Sequence, residues 1–157
     1  MRSKPRSNNR NPRQATNTKS LRFECQSGCT KCCDRQGFVY LTEEDSERIA
    51  AYLGLSTETF EEQYVYRTAH IRRLRIPRGS QCHFLTEMGC SIHAVKPAQC
   101  RLFPFWPEYV EDPDEWRALG DWCPGIGKGP LIQITAALKE SDKMRTAYPG
   151  FYPQRSC

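Results

Sequence analysis

The pattern of hydrophobic and polar positions predicts a helix over residues 42–54. Thr42 suits the N-cap, and Asp45 stands three residues later, as in a capping box. Apolar residues then recur at helical spacing on one face: Ile49, Ala50 and Leu53. Gly54 provides the C-terminal stop, so both ends of this helix are marked in the sequence.

A second helical pattern begins at Ser56 or Thr57 and continues to about Tyr66. Phe60 and Tyr64 stand four residues apart on its apolar side. The helix also carries three acidic residues, which are Glu58, Glu61 and Glu62. Because these would repel phosphates, we reject a DNA-reading helix-turn-helix and expect an αα-hairpin that covers the core.

Shorter patterns predict strands. Residues 37–41 have the composition of a strand, and residues 82–93 predict a hairpin around the turn 86–89. Gly89 can supply the positive φ that such a turn needs. The register stays open, because Leu85 pairs with Cys90 if the loop has four residues, whereas Cys82 and Cys90 share a face if it has three.

The C-terminal half predicts two more helices. Pro97 suits the start of a short helix that carries Cys100, and Pro130 suits the start of a last helix. The apolar face of that last helix consists of Leu131, Ile134 and Leu138. An acidic loop is expected over residues 108–115. These elements together predict a small, irregular α+β domain with short antiparallel strands and several short helices.

The charge of the chain is concentrated at its N-terminus. The chain of 157 residues has 23 Lys/Arg and 18 Asp/Glu, and six of the basic residues, but no acidic one, fall within residues 1–20. We expect residues 1–20 to be a disordered basic tail, 21–150 to be one domain, and 151–157 to be a short C-terminal tail. The tail could contact nucleic acid or an anionic surface, or it could be a solvated terminus.

The sequence predicts a cytoplasmic protein without a membrane span. No apolar segment suits a secretory signal, and no segment approaches the length of a membrane helix. Thiols stay reduced in the cytosol. Clustered cysteines there indicate metal binding or catalysis rather than a disulfide framework.

The cysteines carry the main functional information. Eight of them form an uneven array: Cys25, Cys29, Cys32, Cys33, Cys82, Cys90, Cys100 and Cys123. Zinc and iron–sulfur clusters both bind thiolates, and the two-residue gap between Cys29 and Cys32 lets one turn present two sulfurs to one metal. The array therefore predicts a domain stapled by a metal site, with an iron–sulfur cluster or zinc as the cofactor.

The adjacent pair Cys32–Cys33 leaves the number of sites open. In an extended backbone neighbouring side chains face opposite ways, so either two sites lie back to back or one of the pair is structural. Both could serve one ion only in an unusual local conformation. Eight cysteines suit two closed four-thiol sites, or one four-thiol cluster with four lesser cysteines.

Other polar residues give weaker signals. His83 and His93 flank the hairpin cysteines and could replace a thiolate, but such histidines more often lie beside a site or on the surface. Cys157 ends the chain without partner spacing and is expected to be free. No catalytic set emerges from spacing alone.

These motifs resemble the CxxCxxCC family, the YkgJ-like cysteine-cluster proteins with a zinc- or iron-chelating domain. The matching segments are Phe23 to Cys33, Cys82 to Leu85, Gly89 to Ile92, Lys96 to Pro104, and Cys123 to Gly125. The chain departs from the family in the three-residue gap between Cys25 and Cys29, in His93, where Tyr is frequent, and in Lys96, where Arg is frequent.

The resemblance implies metal chelation by the eight cysteines, and family members are often labelled iron–sulfur oxidoreductases. In an enzyme the cluster would be the reactive group, and Arg101 would lie beside it and tune the charge on the sulfurs. The alternatives are a non-catalytic zinc module that contacts protein or RNA, or a protein of metal storage or delivery.

Overall fold

The computed structural model describes residues 20–153. The predicted tail and Cys157 lie outside these residues, except for Ser20, which opens the first strand. The helices are α1 (Glu43–Leu53), α2 (Thr57–Tyr64), α3 (Ala98–Leu102), α4 (Pro107–Val110), α5 (Pro113–Leu119) and α6 (Ile134–Ala147), with a 3-10 helix at His93–Val95. The strands are β1 (Ser20–Phe23), β2 (Val65–Arg67), β3 (Arg72–Leu74), β4 (Leu85–Thr86), β5 (Gly89–Cys90) and β6 (Ile126–Gln133). The predicted α+β class is confirmed.

The strands form three separate antiparallel pairs within the described residues: β1 with β6, β2 with β3, and β4 with β5. The β1–β6 pair joins distant parts of the chain, with Leu21 opposite Ile132 and Phe23 opposite Ile126. Two-stranded sheets are marginal alone, so each depends on the helices and loops packed against it.

The capping prediction for α1 is confirmed. The Thr42 hydroxyl accepts a hydrogen bond from the Asp45 N–H at 3.0 Å, and the Asp45 carboxylate accepts one from the Thr42 N–H at 3.0 Å. The helix ends at Gly54, as predicted. Ile49 and Ala50 are buried on its inner face, so local capping and the apolar stripe act together.

The chain between α2 and the hairpin differs from the prediction. Helix α2 ends at Tyr64, and the β-branched Val65 begins β2, opposite Leu74 of β3. The predicted strand over 37–41 is only an isolated bridge from Tyr40 to Arg73. Pairing with β3 therefore overrode the local helical pattern at the end of α2.

Two C-terminal predictions were also wrong. The segment expected to be an acidic loop forms α4 and α5, because Asp112 caps α5 and Trp116 is buried. The last helix begins at Ile134 rather than Pro130, since the preceding residues pair with β1 as strand β6. Leu131 lies in that strand and is exposed, so it takes no part in the helical face.

Three small clusters of apolar side chains make up the core. The first joins α1, α2, β2, β3 and the β4–β5 hairpin, and includes Ile49, Phe60, Leu74, Phe84 and Ile92. The second joins α3 to α6 through Ala98, Leu102, Met144 and Tyr148. The third joins α4, α5 and α6 to β1 and β6, and includes Val110, Trp116, Leu119 and Ala137. Cys82 and Cys90 pack against the first cluster, and Cys100 lies on α3, which contributes to the second.

Among residues 20–153, no helix combines the length and the apolar character that crossing a bilayer requires.

Candidate metal centre

The loop after β1 forms a tight turn at the cysteine pair. The N–H groups of Cys33 and Asp34 both donate to the Thr30 carbonyl, at 2.9 and 3.2 Å. This turn brings the sulfurs of Cys32 and Cys33 to 4.0 Å from each other. The extended backbone assumed from the sequence is absent here, so the two side chains converge.

The β4–β5 hairpin adopts the register of the four-residue loop. Leu85 pairs with Cys90, and Gly89 has a φ of 107°, as predicted. Cys82 precedes β4, and its carbonyl accepts a hydrogen bond from the Leu85 N–H at 3.3 Å. Because Cys82 lies in this turn rather than in the strand, its side chain and that of Cys90 pack against the same core cluster.

Five thiols from three segments lie close enough for their charges to interact. They are Cys32, Cys33, Cys82, Cys90 and Cys100. A hydrogen bond with Cys33 lowers the pKa of Cys32 and of Cys90 to about 6. The same two bonds raise the pKa of Cys33, which holds the proton. This shift favours the thiolate forms of Cys32 and Cys90, and the thiolate is the form that binds metal.

Lys96 is the cation that faces this group. Its charge helps to lower the pKa of Cys32 and Cys90, and it opposes the effect of burial on Cys100. Burial, followed by the charges of neighbouring thiolates, raises the pKa of Cys100 to about 12. The sequence indicated Lys96 only as a departure from the family pattern, and its position beside the thiols depends on the fold.

Backbone N–H groups point at the sulfurs of three cysteines besides Cys32, whose sulfur interacts with its own N–H and that of Cys33. Phe84 and Leu85 donate to Cys82, and Ile92 donates to Cys90. Gly125 and Ile126 donate in the same way to Cys123. Burial raises the pKa of Cys82 and Cys123, and these N–H groups act in the opposite direction. Each of the three cysteines thus has a donor two residues later that stabilises a negative sulfur.

The remaining thiols lie on the other side of the Cys32–Cys33 pair. Buried Cys123 is influenced by the charges of Cys29 and Cys32. Exposed Cys25 follows Glu24, whose N–H donates to the Gly125 carbonyl at 3.1 Å. The loop is also held at this end because the Arg35 guanidinium lies 4.2 Å above the Trp122 ring. Cys32 therefore interacts with thiols on both sides.

Gly125 is required for the close approach of β1 to the Cys123 segment. A Cβ added there would lie 2.6 Å from the Glu24 carbonyl oxygen and 2.8 Å from the Phe23 ring. We expect Gly125→Ala to lower the free energy of unfolding by about 1–3 kcal/mol through overpacking. Gly150→Ala is the control, since its added Cβ would have no neighbour within 4 Å. Urea unfolding of both variants checks this, and equal effects would contradict the role of Gly125.

A hydrogen-bond network fixes α3, and with it Cys100, to the chain that follows the cysteine loop. The Gln99 side chain accepts from the Tyr40 N–H at 2.7 Å and donates to the Phe38 carbonyl at 3.1 Å. The buried Tyr148 hydroxyl donates to the Tyr40 carbonyl and accepts from the Gln99 N–H. This network links α3, α6 and the cysteine loop, and no spacing in the sequence predicted it.

The other predicted site residues lie at the edge of the thiols. His83 is exposed with its ring edge-on to Tyr64, and exposed His93 has its Nε2 3.4 Å from the Lys96 Nζ. Arg101 is exposed on α3 and donates to the Lys96 carbonyl at 3.4 Å. Within residues 20–153, no group of three or more His, Cys, Asp or Glu side chains stands in a geometry that would hold a metal ion.

The thiols therefore fit a metal in chemistry and grouping, although they are not closed around a common centre. The Cys32 and Cys33 sulfurs lie 4.0 Å apart, each with other thiols near it, and the N–H donors suit thiolates. Closing the site requires movements of the loop side chains, of which Cys25 and Cys32 are exposed.

The comparison with known families agrees with this arrangement of thiols. The sequence model of one family, CxxCxxCC, with the description "Putative zinc- or iron-chelating domain", matches residues 24–124. The protein belongs to the CxxCxxCC family. The match includes all eight cysteines of the array and extends from the end of β1 to the start of β6. No solved structure matches the chain.

Membership of the CxxCxxCC family confirms the resemblance found in the sequence. It supports zinc or iron as the metal and does not distinguish between the two. The family description names neither a reaction nor the ligands. Those have to be inferred from the residues of this chain.

Proposed function

We propose that this CxxCxxCC protein binds iron or zinc through two four-thiol sets that meet at the Cys32–Cys33 pair. The hairpin set consists of Cys33, Cys82, Cys90 and Cys100. The terminal set consists of Cys25, Cys29, Cys32 and Cys123. Support for this division comes from the hydrogen bond between Cys33 and Cys90, and from the charges of Cys29 and then Cys32 at Cys123, although the charge of Cys32 also acts on the hairpin set.

The observation that carries the proposal is the repeated N–H donation to sulfur. Cys82 and Cys90 of the hairpin set, and Cys123 of the terminal set, each receive an N–H from the residue two positions later. A neutral thiol in an apolar core gains little from such donors, whereas a metal-bound thiolate gains charge stabilisation. The arrangement therefore supports metal ligation in both sets over eight unrelated buried cysteines.

The exposure of the thiols favours a redox role over a closed structural site. Cys25 and Cys32 are exposed, so one side of the thiol cluster faces solvent. An iron–sulfur centre would supply electron transfer there, whereas zinc has no redox chemistry. We therefore place an iron–sulfur oxidoreductase of the cytoplasm first, and a non-catalytic zinc module second. The open side also suits metal delivery, which predicts readily exchangeable metal.

The metal is tested on untagged full-length protein purified without oxygen. Iron, acid-labile sulfide and visible absorbance are measured together. Iron with sulfide and a broad visible band supports the redox role, and the reduction potential is measured next. About two zinc ions per chain without colour would overturn the redox role and support two closed four-thiol sites.

The division into two sets is tested with single serine variants. We expect Cys82→Ser to lose the metal of the hairpin set and Cys123→Ser to lose that of the terminal set, so that each retains about half of the metal when ligands act in sets of four. Cys157→Ser, outside the array, is the matched control. Unchanged metal content in either array variant would contradict two sets and favour a single four-thiol cluster.

A further inference from the structure

A second region, away from the thiols, has the properties of a binding surface. A cleft of about 340 Å³ lies between the β2–β3 turn and the segment that follows α6. Arg67, His70 and Arg72 line one side, and Tyr40 and Phe151 line the other. Among the described residues that line it, none is acidic. A larger cleft of about 710 Å³ between α1, α3 and α6 instead includes Glu43, Glu44, Asp45 and Glu140.

Exposed aromatic rings lie in and beside this cleft: Phe151 lines it, whereas Phe38 and Tyr66 lie on the face of the β2–β3 pair that carries Arg73. Phe38, Tyr66 and Phe151 have 45%, 45% and 48% of their surface accessible. Phe151 lies over Tyr40 with ring centroids 4.4 Å apart. The Arg73 guanidinium lies 4.0 Å from the Phe38 ring and 4.3 Å from the Tyr66 ring, so it fixes both rings in place. Large exposed rings grouped on one part of a surface are typical of binding sites.

The charge of this region is positive. From residue 65 to residue 86 the sequence contains five arginines and no Asp or Glu. Glu61 of α2 is shared by two of them, at 2.8 Å from Arg67 and 3.2 Å from Arg72. One carboxylate cannot neutralise two guanidinium groups, and Arg67 remains 58% exposed in its side chain. The surface therefore attracts anions.

We propose that this arginine–aromatic surface binds single-stranded nucleic acid. Arginines bind the phosphates along the backbone of a strand, and exposed rings stack on its unpaired bases. Proteins that bind single strands with little sequence preference combine these two kinds of contact. An acidic peptide would use the arginines but leave the rings without partners, and a duplex keeps its bases stacked on one another. The rings together with the charge thus favour a single strand.

This surface is distinct from the thiol cluster in residues and in chemistry, so the inference does not depend on which metal is bound. It is also distinct from the basic N-terminal segment of residues 1–20. That segment is the same in all the variants below, so differences between variants report on the surface itself.

Binding is measured by fluorescence anisotropy with the metal-loaded full chain. The probes are labelled oligouridylate and oligothymidylate of 12 nucleotides, and an oligoglutamate of similar length. We expect both oligonucleotides to bind and the peptide to bind at least about tenfold more weakly, because it offers no bases to stack. Equal binding of the peptide would overturn the proposal, as would the absence of oligonucleotide binding.

Two variants separate stacking from charge. Tyr66→Ser should weaken oligonucleotide binding about tenfold through lost stacking, with an unchanged salt dependence. Arg67→Gln should lower the slope of log affinity against log salt by about 0.7, the value for one lost phosphate contact on a single strand. Phe151→Ser serves as a second stacking variant if Tyr66→Ser fails to fold.

A third variant should act in the opposite direction. Glu61→Gln removes the carboxylate shared by Arg67 and Arg72, so we expect affinity to rise severalfold. Arg117→Gln on α5 is the charge-matched control and should bind like the unaltered protein, since Arg117 is exposed away from the cleft and pairs with Asp114. Equal losses in Arg67→Gln and Arg117→Gln would show a non-specific charge effect and overturn the proposal.

Discussion

Removing the metal should abolish the cooperative thermal unfolding of this protein and most of its near-UV circular dichroism. A structural zinc site contributes about 10–16 kcal/mol of apparent binding free energy, whereas a whole domain is stable by about 5–15 kcal/mol. The cores cannot compensate for this loss because they are three small clusters rather than one.

The positions of the cysteines explain why the effect should spread. Cys82 and Cys90 pack against the first cluster, and Cys100 lies on α3, which contributes to the second. Cys123 follows Trp122, which packs against the third. Metal bound across these segments would hold the three clusters together, so its loss should separate them.

The measurement compares metal-loaded protein with protein treated with a chelator under reducing conditions. Adding the metal back should restore both the cooperative unfolding and the near-UV signal. Such recovery would show that the change came from loss of metal and not from irreversible damage. Apoprotein that retains its full near-UV spectrum and a cooperative melt would contradict a stabilising role and would leave the thiols with a role in function only.

Asp45→Ala should lower the free energy of unfolding by about 2–4 kcal/mol, because hydrogen bonds to a buried carboxylate are lost and a buried N–H is left without its acceptor. Asp45 is 1% exposed and its carboxylate lies 2.6 Å from the Arg48 guanidinium. Its carboxylate also accepts a hydrogen bond from the Thr42 N–H at the start of α1. The buried Ala98 N–H at the start of α3 donates to both oxygens of the same carboxylate, at 3.1 and 3.2 Å. One side chain therefore caps two helices, and its removal leaves a buried donor without a partner.

Because α3 carries Cys100, this substitution should also weaken metal binding. Urea unfolding and metal affinity are measured on the same preparations. Glu44→Ala is the control, since Glu44 is exposed in the first turn of the same helix and should change stability by less than about 0.5 kcal/mol. A loss in Asp45→Ala no larger than in Glu44→Ala would show that the second capping contact carries no stability.

Local chemistry explains which elements could be predicted from the sequence. Helix α1 was predicted at both ends because the capping box and Gly54 act on neighbouring residues. The short helix after Pro97 was predicted for the same reason, since proline marks the start of a helix. The end of α2 was wrong because Val65 pairs with the neighbouring strand β3, and the start of α6 was wrong because Leu131 pairs with β1, which is distant in sequence.

For the candidate site too, features that depend on residue type and near neighbours were predicted, and features that depend on folding were not. The eight cysteines were singled out from residue type and spacing, because thiolates are specific ligands, and the family was identified from the resemblance of the motifs that contain them. The convergence of Cys32 and Cys33 was missed because it depends on the turn closed by Thr30. The double role of Asp45 was missed because its second partner, Ala98, is 53 residues away.

The sequence by itself determined the chelating family, the thiol array and the helices whose signals are local. Only the tertiary structure decided which thiols neighbour one another, that Lys96 faces them, and that an arginine–aromatic surface forms at β2 and β3. The physical reason is that ligand type and caps are properties of residues and their near neighbours. Charge interactions, ring contacts and sulfur spacing instead depend on segments that only folding brings together.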